Sequence, residues 1–422
     1  MTNENERSEE WEMVDAEASV SDLVELDATE QDEENVDHTH ADHFHDSPEE
    51  GIARDVGDIT ECVREIIGST HTLFELKRRE CAFPNQPNTV QIEIADDLAG
   101  SVLKCLQIDL ERITNEYPAI GKYNPYFGMF SRAMMHEVEF EGGVASFATV
   151  AREEWLCWKR RDCWPDRALT LFVDCLNGAI AEIRRAGDSE AFKNWKKAFV
   201  RQPRKNESTL WSLVLACLNV NHHIQVLRFD LAYAEYYCSR ELAGEQAISY
   251  EDVRNHRVAL RRYLKHELKK KLRPGACKGM GLAIKFEYGL DKTHHFHVIV
   301  ILNGDVVGEG MSVTEMICDH WKRVITGGKG LTYNCNKATY PECGIGSVRY
   351  DSKEKLRVLK TVVVPYVTKP DFYGDMVKPD NHRAFWVSQP PKIEARRRGR
   401  KRSKTDALKL LVGFKPAEGE RE

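Results

Sequence analysis

The 422 residues carry 60 Lys and Arg against 67 Asp and Glu, for a net charge of −7, and 42% are hydrophobic. That is enough apolar material for more than one core, yet no run approaches the ~20 apolar residues that span a bilayer, which excludes a helical membrane protein. The charge is divided: residues 1–60 hold 21 acidic and two basic residues (−19), leaving +12 on the rest, a balance that favours polyanionic partners for the body of the chain.

The twelve cysteines show no regular spacing, and no apolar leader opens the chain. Free thiols in a reducing cytoplasm are therefore expected, with no membrane association. Residues 1–60 are rich in Asp, Glu, Ser and Thr. Such a segment buries too little to offset its ordering entropy, so it is expected to be disordered. Its cluster His38, His40, His43 and His45 reads as part of a solvated tail, with weak metal binding as the alternative.

Residues 61–215 read as a mostly helical accessory domain. Leu73 and Leu76, then Leu103, Leu106 and Leu110, keep 3–4 spacing, and Leu169, Phe172, Val173, Leu176, Ile180 and Ile183 continue it. Trp155, Trp158, Trp164, Trp195 and Trp211 fall here, interleaved with Lys159, Arg160, Arg161, Lys196 and Lys197. A packed amphipathic domain explains that mixture best; a stacking and phosphate-binding surface for single-stranded DNA is the alternative.

From about residue 216 the pattern changes. Leu227, Phe229 and Leu231 alternate with Arg228 and Asp230, as in a strand with one buried face. Ser249 and Asp252 fit a capping box opening a helix with Val253, His256, Leu260, Leu264 and Leu268 on one side. Lys269, Lys270 and Lys271 suit its C-terminal end, and Pro274–Gly275 stops it. Two β-like runs, Leu282–Tyr288 and His295–Leu302, form a hairpin. A helix is expected over Val313–Ile325 and a strand over Val358–Val364, giving the order β-α-β-β-α-β. Residues 393–422 form a basic tail that includes RRRGRKRSK.

The hairpin carries the chemistry. His295 and His297 are two apart on one strand, so both rings share a face. Glu287 lies on the preceding strand, eight residues earlier, sharing its face with Lys285. Two imidazoles and a carboxylate make a three-ligand site for a divalent metal. His294 points to the opposite face and is not counted. Tyr366 and Lys369, at i and i+3, share one side of a helical turn; a phenolate can attack a phosphodiester and an ammonium can stabilise the charge. Pro370 disfavours a regular helix there, and Tyr373 is a nearby alternative nucleophile. Cys318, His320, Cys335 and Cys343 match no familiar zinc spacing.

VLRFDLAY, KFEYGLDKTHHFHVIVIL, Trp321 with YNCN, and VPYVTK, in that order over about residues 222–391, strongly resemble the inovirus gene-product-two-like family of HUH rolling-circle replication initiators. The resemblance implies an α+β fold of the HUH endonuclease type, an antiparallel central sheet with helices on one face, occupying residues 216–392. It implies Mg²⁺ or Mn²⁺ at Glu287, His295 and His297, a nucleophilic Tyr366 with Lys369 as companion, and a central strand around Arg228 and Asp230. The implied activity is nicking and rejoining of single-stranded origin DNA through a 5′-phosphotyrosine to start replication of a phage, plasmid or integrated element, with host replication proteins as possible partners. The alternatives are a nicking-inactive DNA-binding regulator on the same fold and a relaxase or transposase of the HUH type.

Overall fold

The computed structural model describes residues 51–79, 89–140, 143–158, 166–238, 247–290, 293–308, 310–377 and 382–392. The acidic segment was expected to be disordered through residue 60, but the chain is already helical from Ile52: α1 (Ile52–Gly68) buries Val56, Ile59, Val63 and Ile66 along one face. That apolar face is reason enough for the correction. Residues 1–50 and the basic tail from 393 onward lie outside the described residues.

The accessory region is mostly helical but holds two small hairpins. Strands β1 (Phe74–Arg79) and β2 (Thr89–Ile94) pair antiparallel, so Leu73 and Leu76 belong to an extended segment rather than a helix. Helices α2 (Asp97–Cys105), α3 (Leu110–Glu116), α4 (Ile120–Tyr123) and α5 (Pro125–Met134) follow. The second hairpin is β3 (Glu137–Phe140) with β4 (Gly143–Ser146), and α6 (Phe147–Trp158) and α7 (Asp166–Gly187) come after it. The six apolar positions read from α7 are all buried, as their spacing requires.

Helix α8 (Glu190–Val220) joins the accessory region to a six-stranded sheet. The boundary read near residue 216 falls inside it. Its C-terminal half, through Leu210, Leu213, Val214 and Cys217, packs in the same core as Ile224, Val226, Ala283, Ile299 and Ile301 of the sheet.

The sheet runs β10 (Phe385–Val387), β6 (Gly281–Gly289), β7 (Thr293–Asn303), β5 (His223–Tyr233), and every pairing is antiparallel. Two short strands lie end to end along the outer edge of β5: β8 (Gly330–Asn334) pairs with Phe229–Tyr233 and β9 (Gly346–Arg349) with His223–Val226. Asn336 fills the gap between them. Its Oδ1 accepts from the Arg228 amide at 2.8 Å and its Nδ2 donates to the Val226 carbonyl at 3.1 Å, replacing the missing ladder bonds.

Helices cover both faces of this sheet, correcting the one-faced expectation. The first face carries Leu227, Phe229, Leu231, Ile284, Phe296 and Val298. It is covered by α9 (Tyr250–Arg262), a π-helical turn and α10 (Leu268–Lys271), and by α12 (Met311–His320) with its π-helical extension Trp321–Ile325; the short α11 (Gly304–Val307) links β7 to α12. The second face lies beneath α8 and a helix built from α13 (Lys353–Val358), the π-helical turn Leu359–Val363 and α14 (Val364–Thr368). The short α15 (Gly374–Val377) leads to β10.

The run Val358–Val364 is therefore helix, not strand. Its β-branched residues suggested a strand, but helix propensity costs them only a few tenths of a kcal/mol each, less than burying one aliphatic side chain contributes. Val358, Leu359, Val363, Val364 and Val367 are buried while Thr361 and Val362 face out. The five-residue step in that pattern is the π turn. It also precedes Pro365, which cannot donate a helical hydrogen bond. Gly344 matters here because a Cβ would lie 2.6 Å from the Leu359 backbone nitrogen. Among the described residues no helix is long and apolar enough to cross a membrane.

Candidate metal centre

Register assembles the cluster on the second face of the sheet. Pairing of β6 with β7 sets Glu287 opposite His295 and Lys285 opposite His297; pairing of β5 with β7 sets Asp230 on the other side of His297. One row thus reads Lys285, His297, Asp230, with Glu287 and His295 in the adjacent row. Glu287, His297, Asp230 and Lys285 are all buried, and His295 is partly exposed.

The imidazoles converge on one carboxylate oxygen. His295 Nε2 lies 3.3 Å and His297 Nε2 3.1 Å from Glu287 Oε2. The ligating atoms of Glu287, His295 and His297 all fall within 4.8 Å of one another, the arrangement expected of a group that could hold a metal ion. The far ring nitrogens fix the tautomers. His295 Nδ1 faces the Thr293 carbonyl at 3.2 Å, which can only accept, and His297 Nδ1 faces Asp230 Oδ1 at 2.7 Å. Donation from both Nδ1 atoms leaves both Nε2 lone pairs aimed at a carboxylate, an arrangement that needs a proton or a cation between them. Glu287 Oε1 is buried with no hydrogen-bond partner, so the donor set fits a cation and has unused capacity for one.

The charges set the protonation states. Burial works against the Glu287 carboxylate, but Lys369 and His297 outweigh it and hold its pKa well below the ordinary range. Burial likewise opposes the Asp230 carboxylate, and His297 and Arg228 reverse the effect. At His297 desolvation disfavours the cation, yet Asp230 and Glu287 together raise its pKa.

Helix α14 carries Tyr366 over this cluster. The Tyr366 and His297 ring centroids are 5.5 Å apart at 70°, and the Arg228 guanidinium lies 4.1 Å above the phenol ring. Arg228 in turn reaches Asp230 Oδ2 at 3.6 Å. Lys369 has left the helix, with φ −47° and ψ 152° as its position before Pro370 demands, so the i, i+3 helical geometry does not hold. Its Nζ nonetheless lies 4.9 Å from the Tyr366 ring centroid and 3.7 Å from Glu287 Oε2. Buried Lys285 donates to the Lys369 carbonyl at 3.1 Å, tying the departing chain to the sheet. Burial raises the Tyr366 phenol; Lys369 and Arg228 pull it down without cancelling the rise. Raised in turn by Glu287, Lys369 keeps its charge.

All five residues singled out in the sequence, Glu287, His295, His297, Tyr366 and Lys369, thus meet in one place. Arg228 and Lys285 join them without having been assigned a role, and so does Asp230. Their signal was parity: charged residues at alternate positions of strands otherwise filled by aliphatics. His294 does turn away, packing its ring against Phe286 and Tyr288, where burial pushes it down to about 4. Tyr373 lies apart from the cluster. Its hydroxyl accepts from Asn124 Nδ2 at 3.1 Å, and burial pushes it up to about 12. Cys318 and Cys335 belong to cores on opposite faces of the sheet, and no zinc group forms from them among the described residues. The side chains of Trp155, Trp158 and Trp164 lie outside the described residues, whereas Trp195 packs between Phe192 and Phe199. No family model, curated protein or solved structure matches this chain.

Proposed function

We propose that this chain is a metal-dependent, HUH-type nickase that cuts one strand of origin DNA with Tyr366 and so starts rolling-circle replication. The observation that carries the reading is the meeting of a phenol with a metal-competent cluster: the Tyr366 ring rests against His297 while Lys369 spans from that ring to Glu287. Glu287, His295 and His297 would hold Mg²⁺ or Mn²⁺, which when bound polarises a phosphate oxygen.

The remaining chemistry belongs to the side chains. Tyr366 loses its proton and its Oη forms a bond to phosphorus. The bond from phosphorus to the 3′ oxygen breaks, and that oxygen takes up a proton to become the primer hydroxyl. The 5′ phosphate stays on Tyr366 until the reverse transfer rejoins the strand. The Lys369 ammonium favours the phenolate and stabilises the negative charge that builds on the phosphoryl oxygens. Asp230 fixes the His297 ring, and Lys285 fixes the backbone at Lys369. DNA would approach from the side where His295 and Lys369 reach solvent.

The test is cleavage of labelled single-stranded origin oligonucleotides in Mn²⁺. The protein should form a covalent 5′ adduct, and Tyr366→Phe should lose adduct and cutting by on the order of 10³-fold or more. Equal cutting by the variant rules the reading out. The 7% exposure of Tyr366 favours a second reading, a nicking-inactive DNA-binding regulator, which would bind the same DNA and form no adduct.

A further inference from the structure

Helix α8 carries a dense positive stripe. Between Glu190 and Glu207 it has no acidic residue and six basic ones: Lys193, Lys196, Lys197, Arg201, Arg204 and Lys205. All six are exposed. Their 3- and 4-residue spacing puts them on one side of the helix, and from Lys193 to Lys205 the stripe runs about 18 Å along the axis.

Several surface cations on other helices have an acidic partner one turn away. Arg64 pairs with Glu61, Arg112 with Glu116, Arg254 with Glu251, and Arg357 with Glu354. On α8, among the described residues, one ion pair involves the stripe, a loose approach of 3.9 Å from Lys193 to Glu190, and Arg204 acts electrostatically on Glu207. Lys193, Lys197, Arg201 and Lys205 follow one another at i, i+4, a spacing at which like charges repel and weaken a helix. Exposed cations left in that state attract a polyanion from outside.

The helix's aromatic side chains decide which anion. Phe192, Trp195 and Phe199 occupy the opposite side, where Trp195 and Phe199 stack on Phe372 at 6.3 and 4.6 Å. Between Lys193 and Lys205 none is left on the stripe for bases to stack upon, as a single-strand track would use, and Trp211 further along packs against the sheet core. A row of cations without stacking partners suits a phosphate backbone held in a duplex. Phe372 is six residues past Tyr366, and the C-terminal half of α8 shares a core with α14, so the same helix reaches the candidate centre. Lys360, on the helix that carries Tyr366, and Arg204 both act electrostatically on Glu207 of α8.

We propose that the Lys193–Lys205 stripe of α8 docks the phosphate backbone of duplex DNA adjoining the strand to be cut. This deepens the nickase reading and rests on it for the identity of the cut strand, but not for the docking itself.

The experiment uses the full chain in EDTA with a labelled 20-base-pair duplex of mixed sequence, read by anisotropy across a salt series. The stripe variant combines Lys196→Gln, Lys197→Gln, Arg201→Gln and Arg204→Gln. A charge-matched control carries Lys269→Gln, Lys270→Gln, Lys271→Gln and Arg273→Gln, also exposed. The stripe variant should bind at least fivefold more weakly than the control, with a log–log salt slope shallower by about 0.9 for each phosphate that is no longer neutralised. A smaller difference overturns the proposal, as it would if the acidic residues 1–50 occupied the stripe instead. Because nothing is cut in EDTA, a protein that docks duplex through α8 yet forms no Tyr366 adduct refutes the nickase reading alone.

Discussion

His297 sits between two carboxylates, and that sandwich makes the cluster respond to pH in opposite ways with and without metal. In the metal-free protein its pKa is raised above the ordinary 6.5, so its contribution to stability is complete below 6.5 and is lost as pH rises through the folded value. The pKa of Glu287 is lowered from 4.5, so its contribution is complete above 4.5 and is lost as pH falls through the folded value. The cluster therefore stabilises the metal-free fold most between about 4.5 and 6.5. A divalent cation must displace the His297 proton, so its binding should weaken by about tenfold per pH unit of acidification once that proton is present. Thermal melts in EDTA should show their highest Tm at mildly acidic pH. Mn²⁺ should raise Tm more as pH rises and the His297 proton is lost, moving the optimum upward. A Mn²⁺ effect equally large at pH 5.5 and 8 would show that the ion binds elsewhere.

At the level of elements, the continuous helix from α9 through α10 is the one whose ends were most legible. Ser249 Oγ accepts from the Asp252 amide at 3.1 Å, and Asp252 Oδ2 accepts from the Ser249 amide at 2.9 Å, completing the box that spacing alone indicated. Ser249→Ala should cost about 1 kcal/mol in urea unfolding, with the slope unchanged; an unaltered midpoint would show that packing of Val253 and Leu260 fixes the helix start without the cap. The β6–β7 hairpin was legible for a similar local reason, because alternation specifies which side chains share a face. The Val358–Val364 helix was not. Its β-branched content points one way and its burial against the sheet points the other, and only the partner surface decides. Strands β8, β9 and β10 were missed because each is short and pairs at the rim, leaving too little alternation to read. Asp230 shows the same limit within the site. Its place on a central strand was read, but its bond to His297 depends on a register between segments 67 residues apart.

At the scale of the whole molecule, the accessory region is built into the candidate centre rather than appended to it. Tyr117 donates its hydroxyl to the Leu290 carbonyl at the tip of the β6–β7 hairpin, at 2.9 Å. Asn124 does more. Its Oδ1 caps α5 by accepting from the Phe127 amide, while its Nδ2 donates to Thr60 Oγ1 at 2.9 Å and to the Tyr373 hydroxyl. Asp371, two residues past Lys369, accepts from the amides of Tyr373 and Gly374 and, through its other oxygen, from the amide of Tyr288 beside Glu287. A chain of bonds thus runs from α1 through Asn124 and residues 371–374 to the strand that bears the carboxylate ligand. Asn124 is fully buried, so Asn124→Ala removes a cap and leaves polar partners without bonds at a place water cannot reach. The cost should be about 2–4 kcal/mol. Its reach should exceed the helical region: amide exchange at Tyr373 and Gly374 should quicken along with that of α5. Slow exchange at residues 371–374 in a destabilised variant would mean that the sheet alone holds this segment, and that the accessory region does not brace the centre.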